Sequence, residues 1–240
     1  MKKAKLFLIP FAGGNYYSFQ FMFPYLNDYD VIPLELPGRG KRIQEDLLTD
    51  FEAAAQDCFD GIMSSVKQSQ FLIYGHSLGA YLGLRVSNML SKAGKSPLTL
   101  IVSGNPGPGL KNDKLRHSLN YEEFVKELDD LGGVSKEVLE NKDLINFYEP
   151  ILRADFKIAE INDIASEAPV DIPLFAMMGN KERKVNHISN WARFTRSEFN
   201  YSVLEGGHFF INHYPKYISQ IIDKCYYKAV QNQNNHKFQK

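Results

Sequence analysis

The sequence has little of several features that mark specialised classes of protein. Its 28 lysines and arginines equal its 28 aspartates and glutamates, so it lacks the basic surplus of proteins that bind nucleic acid or anionic membranes. It holds only two cysteines, Cys58 and Cys225, without metal-site spacing. We interpret both as small core or helix-face residues in a reducing compartment. These absences predict a globular cytoplasmic protein that needs no metal, no other cofactor and no nucleic acid.

Long apolar runs are also absent. The chain begins with Lys-rich residues 1–5 and four apolar residues at 6–9, an order that is typical of a signal peptide, but Pro10 ends the run. A signal peptide needs about 7–15 apolar residues, and a membrane span needs about 20. We therefore predict a short buried strand at 6–9 and no membrane segment.

Short apolar runs alternate with helix-length stretches along most of the chain. Runs of this length are typical of strands buried on both faces of a parallel sheet. Strands are predicted at 6–9, 31–36, 71–74, 98–102, 173–178 and 201–204, and helices at 16–26, 50–65, 78–93, 187–194 and 214–227. The alternation predicts an α/β fold with right-handed crossovers.

The alternation is interrupted once, between about residues 106 and 171. This stretch has no strand signal and reads as helices at 121–131, 136–140 and 142–160. It is too long for a loop and lacks the composition of a linker, so we interpret it as a helical insertion in one domain that spans residues 1–230. Residues 231–240 are rich in Gln, Asn and Lys, and we expect a disordered tail there.

A nucleophile motif follows the predicted third strand. Residues 75–79 read Gly-His-Ser-Leu-Gly, a G-x-S-x-G pattern between a strand and a helix, which is the context of a nucleophile elbow. Gly75 and Gly79 would leave room where a Cβ would clash in so tight a turn. Because neighbouring side chains diverge there, we interpret His76 as a positioning residue and predict Ser77 as the nucleophile.

A serine nucleophile needs a neutral imidazole to accept its proton and a carboxylate to orient that imidazole. In this fold the chain order is serine, acid, histidine. His208 follows the predicted strand at 201–204, which places it at the carboxyl edge of the sheet, where open α/β sheets build their sites. We predict His208 as the base. His213 is the alternative, and His187 and His236 fit less well.

Four carboxylates precede His208 as candidate acids, namely Asp155, Asp163, Asp171 and Glu182. Asp171 precedes its strand and so lies at the wrong edge of the sheet, and Asp155 and Asp163 fall in the insertion. Glu182 comes four residues after Met178, just past a strand end. We predict Glu182 as the acid; the alternative is an exposed charge in a Lys-Glu-Arg-Lys sequence.

Acyl transfer builds negative charge on a carbonyl oxygen, which two backbone N–H groups stabilise. Leu78, the residue after the nucleophile, is one predicted donor. The other comes from the loop after the first strand, Pro-Phe-Ala-Gly-Gly at 10–14, where we choose the N–H of Ala12.

From about residue 6 to residue 215 the chain resembles the type II (external) thioesterases that accompany nonribosomal peptide and polyketide assembly lines. The resemblance is carried by the motifs already described and by three further ones: Pro-Gly-Arg-Gly at 37–40 with Arg42, Leu-Arg-Ala-Asp at 152–155, and Gly-Gly-His-Phe-Phe at 206–210. The G-x-S-x-G pattern is shared with many hydrolases, whereas the Pro-Gly-Arg-Gly and Leu-Arg-Ala-Asp runs are far more specific to this family.

The resemblance implies an α/β-hydrolase fold, a triad of Ser77, Glu182 and His208, and a lid formed by the insertion over an acyl channel. The family usually has Asp where Glu182 stands. The implied substrates are acyl thioesters on the phosphopantetheine arm of carrier proteins, and the implied role is to clear stalled or misprimed carriers. Nothing in the sequence forces assembly, so we expect a monomer.

Two other functions remain open. One is a carboxylesterase or a medium-chain acyl thioesterase, with Phe124, Leu128, Leu144 and Phe147 of the lid holding an acyl chain, although these residues could equally be lid core. The other is a module that docks on a carrier without catalysis. For Arg39, Arg42 and Arg153 we favour salt bridges within the protein over contacts with a carrier.

Overall fold

Six parallel strands form one sheet in the computed structural model, which describes residues 3–110 and 114–237 of the chain. The sheet order is β2-β1-β3-β4-β5-β6, and every neighbouring pair is parallel. The strands are β1 (Ala4–Ile9), β2 (Tyr29–Pro33), β3 (Phe71–His76), β4 (Leu100–Ser103), β5 (Leu174–Gly179) and β6 (Phe199–Leu204). The predicted α/β fold is confirmed.

Helices cover both faces of this sheet. On one face α1 (Phe51–Val66) and α2 (Leu78–Lys92) share an apolar core with alternate strand residues such as Phe7 and Ile73. On the other face α6 (Pro215–Lys237) packs with Leu8 and Tyr74. Because side chains alternate across a strand, the continuous apolar runs supply both cores at once.

The interrupted stretch between β4 and β5 contains three helices, α3 (Tyr121–Leu131), α4 (Lys136–Glu140) and α5 (Lys142–Glu160). They match the predicted bounds. Asn120 and Asn141 cap α3 and α5 by accepting hydrogen bonds from backbone N–H groups of the first turn, which is why the sequence marks these starts well.

Three predictions need correction. The helix expected at 16–26 is a 3₁₀ helix over Gln20–Tyr25, a stretch that holds Pro24 and therefore lacks a backbone donor. The helix expected at 187–194 is a 3₁₀ helix over Val185–Phe194. The tail expected to be disordered from residue 231 continues α6 to Lys237, because no Gly or Pro ends the helix; residues 238–240 lie outside the described part. None of the described helices is long and apolar enough to cross a membrane.

The first turn of α2 lies directly against the end of β1. A Cβ at Gly79 would overlap the carbonyl of Ile9, and a Cβ at Gly75 would overlap the carbonyl of Gly79. Both glycines are therefore required by space, as the motif predicts. The contact of Gly79 with Ile9 brings the loop after β1 next to Ser77.

We predict opposite effects for two glycine-to-alanine substitutions in helices. Gly79→Ala forces backbone atoms apart and should lower the free energy of unfolding by about 1–3 kcal/mol. Gly61→Ala, in the interior of α1, places its Cβ 3.5 Å from Leu34 Cδ2, an ordinary contact, and should raise stability by about 0.5–1 kcal/mol. Urea unfolding of both variants measures this. A Gly79→Ala variant as stable as the wild type would contradict the close approach.

Candidate active site

Ser77 lies at the turn between β3 and α2 and has a strained backbone. Its φ of 56° falls in the left-handed region, which only one other non-glycine residue, Lys67, adopts among the described residues. The turn is held because the Ser77 N–H donates a 2.8 Å hydrogen bond to the carbonyl of Ser103 at the end of β4. Such strain costs about 1–3 kcal/mol and is characteristic of functional turns.

Ser77, His208 and Glu182 lie in one hydrogen-bonded row. The Ser77 Oγ is 3.0 Å from His208 Nε2, and His208 Nδ1 is 2.9 Å from Glu182 Oε2. A carboxylate can only accept, so the Nδ1 proton of a neutral His208 points to Glu182 and Nε2 is left as the acceptor for the Ser77 hydroxyl. The structure thus brings together the three side chains that the sequence singled out.

Glu182 reaches His208 from the loop after β5. Its other oxygen, Oε1, accepts a 2.8 Å hydrogen bond from the N–H of Gly179, the last residue of the strand. The carboxylate therefore has a fixed orientation between a strand end and the imidazole. The alternative of an exposed charge is not what the structure shows, because only 9% of the side chain is accessible.

The other candidates lie elsewhere. His187 and His213 are exposed, and the side chain of His236 falls outside the described part. Asp171 pairs with Arg196 at the surface, and Asp163 precedes a short 3₁₀ helix. Asp155 is fully buried and bound to Arg39.

The two predicted oxyanion donors both line the cavity that contains Ser77 and His208. This cavity has a volume of about 290 Å³. Leu78 is the first residue of α2, and its N–H lies at the helix start, where donors are free. The N–H of Ala12 makes no hydrogen bond with any described residue. Both groups are thus available to a ligand.

Helices α3 and α5 and the segment before α3 cover one side of the cavity. Charged lid residues on this side include Arg116, Glu127 and Glu160. A smaller apolar recess of about 40 Å³ opens beside Ser77 and is lined in part by Leu128, Leu152 and Phe156 of the lid. The insertion therefore lines one side of the cavity that contains Ser77.

Of the four lid residues considered for an acyl-chain lining under the alternative function, three do not line the recess. Phe124 belongs to the internal core of the lid, together with Ile145, while Leu144 and Phe147 point outward and are about half exposed. Leu128 is the only one of these four residues that lines the recess. The apolar periodicity of α3 and α5 reflects packing within the lid, because each helix buries one face against the other.

All three of the arginines that the sequence singled out form ion pairs within the protein. Arg39 binds Asp155, Arg42 binds Asp57 and Glu45, and Arg153 binds Glu149. The salt-bridge interpretation is confirmed for each.

A second serine–histidine pair, which the sequence analysis missed, lies beneath the row. His76 Nδ1 is 2.7 Å from Ser103 Oγ, which is also 2.7 Å from the hydroxyl of Tyr74. The His76 ring lies 5.0 Å from the His208 ring. A hydrogen-bonded serine and histidine suggest a serine hydrolase site. Burial lowers the pKa of His76 well below 6.5, and the neighbouring His208 lowers it further.

A parallel α/β sheet with a serine at a strained strand-to-helix turn and a histidine bonded to it defines an α/β hydrolase. The thioesterase domain family model matches residues 4–226. Thioesterase PikA5 of Streptomyces venezuelae is 30% identical over 212 residues, which are 87% of this chain and 75% of that protein. The gramicidin S biosynthesis protein GrsT of Aneurinibacillus migulanus is 30% identical over 216 residues, covering 87% and 83% of the two chains.

The structure is similar to that of YbtT, a type II thioesterase from the yersiniabactin NRPS/PKS pathway. The TM-score is 0.86 at 26% identity, over 95% of this chain and 94% of that one. The chain belongs to the thioesterase domain family, and within it to the type II thioesterases of nonribosomal peptide and polyketide pathways. It is a hydrolase of thioesters.

The buried His76 leads to a prediction on stability against pH. Its pKa is lowered on folding, so the unfolded chain binds one more proton than the folded chain once the pH falls below about 6.5. The contribution of His76 to the free energy of unfolding is therefore fully present above that pH. It is lost as the pH falls further, by up to about 1.4 kcal/mol per pH unit. Urea unfolding between pH 7.5 and 5 should show a smaller loss in a His76→Asn variant than in the wild type. Equal slopes would mean that His76 is not buried as a neutral ring.

Proposed function

We propose that this protein hydrolyses acyl thioesters on the phosphopantetheine arm of carrier proteins, through an acyl-enzyme on Ser77. The single observation that carries the proposal is the hydrogen-bonded row from Ser77 through His208 to Glu182, beside the covered cavity. In this row His208 Nε2 accepts from the Ser77 hydroxyl and Glu182 accepts from His208 Nδ1, which is the arrangement that activates a serine hydroxyl.

In this mechanism Ser77 Oγ attacks the thioester carbonyl carbon while its proton passes to His208 Nε2. Glu182 accepts from Nδ1, keeps the ring oriented and stabilises the imidazolium that forms. The oxygen that becomes negative binds the N–H groups of Ala12 and Leu78. When the C–S bond breaks, His208 returns the proton to the thiol. A water molecule then attacks the acyl-enzyme with the same proton transfers, and releases the carboxylic acid and Ser77.

Ser77 is a better nucleophile candidate than Ser103 because a substrate can reach it. Ser77 lines the cavity, whereas Ser103 and His76 are both fully buried. Ser103 is also held between His76 and Tyr74. We assign this second pair a supporting role beneath His208.

The recess favours short acyl groups over medium chains. Its volume of about 40 Å³ is well below the roughly 150 Å³ of a cavity that admits benzene, and the larger cavity beside it has charged walls. We therefore propose that the protein clears short acyl groups from misprimed carriers. The name of GrsT, a gramicidin S biosynthesis protein, supports a place in natural-product biosynthesis.

We predict that Ser77→Ala lowers turnover of an acetyl-loaded carrier by at least 10³-fold, because the covalent step is lost. Ser103→Ala serves as the matched control and should keep at least a tenth of the wild-type rate. Intact-mass spectrometry of the carrier before and after incubation measures both, with circular dichroism to confirm folding. Substantial turnover by the Ser77→Ala variant would contradict the mechanism.

The same assay separates the proposed function from the three alternatives, which are a medium-chain thioesterase, a carboxylesterase and a docking module without catalysis. We compare acetyl-carrier and decanoyl-carrier with acetyl-CoA and a p-nitrophenyl ester. The proposal expects the highest kcat/KM on the acetyl-carrier. Faster turnover of the decanoyl group would indicate a medium-chain thioesterase, faster turnover of the ester would indicate a carboxylesterase, and no turnover of any of them would indicate a docking module.

A further inference from the structure

A buried ion pair connects the lid to the loop that holds Ala12. Asp155 lies on α5 and is fully buried, and Arg39, also buried, binds both of its oxygens. Asp155 Oδ2 accepts a further hydrogen bond, 2.7 Å long, from the N–H of Gly13. The two sequences most specific to the resemblance, Pro-Gly-Arg-Gly and Leu-Arg-Ala-Asp, thus meet each other at the oxyanion loop.

The loop itself is a tight turn with two fixed peptide planes. The Gly14 N–H donates a 2.8 Å hydrogen bond to the Phe11 carbonyl, and Gly13 has a φ of 77°. Gly13 is the third residue of this turn and is left-handed, whereas the second residue, Ala12, has a negative φ. This combination defines a type II turn. Since C=O and N–H point in opposite directions in a trans peptide, fixing the Phe11 carbonyl inward turns the Ala12 N–H outward.

Asp155 fixes the next peptide plane of the same turn. The Gly13 N–H belongs to the central peptide of the turn, Ala12–Gly13, which follows the Ala12 N–H directly. Its hydrogen bond to Asp155 ties this peptide, and with it the whole turn, to helix α5. Helix α5 also contacts the turn through Leu152, whose side chain occupies the space where a Cβ on Gly13 would lie.

The carboxylate of Asp155 does more than pair with Arg39. Removing two charges from water costs about as much as their attraction returns, so an apolar pair of similar volume is often as stable as a buried ion pair. What an apolar pair could not provide is an acceptor for the Gly13 N–H. The geometry therefore gives the carboxylate a function at the loop.

We propose that Asp155, held in place by Arg39, is a positioning residue that keeps the Ala12 N–H directed at the oxyanion. This inference rests on the oxyanion assignment in the proposed function. Asp155 does not contact the substrate; it acts by fixing the position of the turn, and with it the Ala12 N–H, relative to the reacting carbonyl.

Two double variants separate the hydrogen bond from the ion pair. Arg39→Met with Asp155→Asn removes both charges but keeps an amide oxygen for the Gly13 N–H. Arg39→Met with Asp155→Leu removes both charges and the acceptor. Both are compared with the wild type on acetyl-N-acetylcysteamine, a small thioester that does not depend on a carrier, by kcat, KM and the pH dependence of kcat.

The proposal expects kcat of the Asp155→Leu double variant to be at least tenfold below that of the Asp155→Asn one. KM should agree within threefold, and the acidic limb of the pH profile should be unchanged because His208 and Glu182 are untouched. If Asp155→Leu does not fold, Asp155→Ala on the same background makes the same comparison.

Equal kcat values in the two folded variants would overturn the positioning role, and so would a loss that appears in KM or as a shifted acidic limb. These outcomes leave the proposed function intact. A wild type that hydrolyses the small thioester but no acyl-carrier would instead refute the proposed function and leave the comparison of the variants valid.

Discussion

The site depends on one close contact, between the first turn of α2 and the end of β1. Gly79 lies against the carbonyl of Ile9 with no room for a side chain. That contact brings two separate segments together: the strained turn that presents Ser77, and the loop that presents the N–H of Ala12. Under the proposed function, a wider separation would leave Ser77 and Ala12 too far apart to act on one carbonyl group.

Around this contact, each polar group of the site is held by a partner that lies at or just past the end of a strand. Gly179 of β5 orients Glu182, Glu182 orients His208, and Ser103 of β4 holds the Ser77 N–H. A parallel sheet brings these ends to one edge, so short loops suffice to assemble the row. Under the proposed function, the lid adds a further constraint from the opposite side through Asp155.

Much of the fold and of the candidate site could be predicted from the sequence, because these features are encoded by short stretches of the chain. The strands followed from continuous apolar runs, and the helices of the lid followed from a long stretch without a strand signal. Ser77 came from a motif in its strand–helix context, while His208 and Glu182 came from their places just after strands. The structure brings these three residues together, and their catalytic roles stay a prediction until they are tested.

What the sequence did not reveal depends on distant contacts. The Arg39–Asp155 pair joins residues 116 positions apart, and reasoning by elimination treated Asp155 only as a rejected acid. Similarly, the Ser103–His76 pair joins two neighbouring strands and has no motif of its own. The apolar stripe of the lid was visible, but whether its residues face the cavity or each other is decided by packing, which periodicity does not report.

The most direct test of the account is to find where the acyl group is attached during turnover. The wild type is mixed with an acetyl-loaded carrier, quenched in acid within the first turnover, digested and analysed by peptide mass spectrometry, with the Ser77→Ala variant treated in parallel. The account predicts an added acetyl group on the peptide that contains Ser77, and none in the variant. An acetyl group on Ser103, or turnover without any acetylated serine, would contradict it.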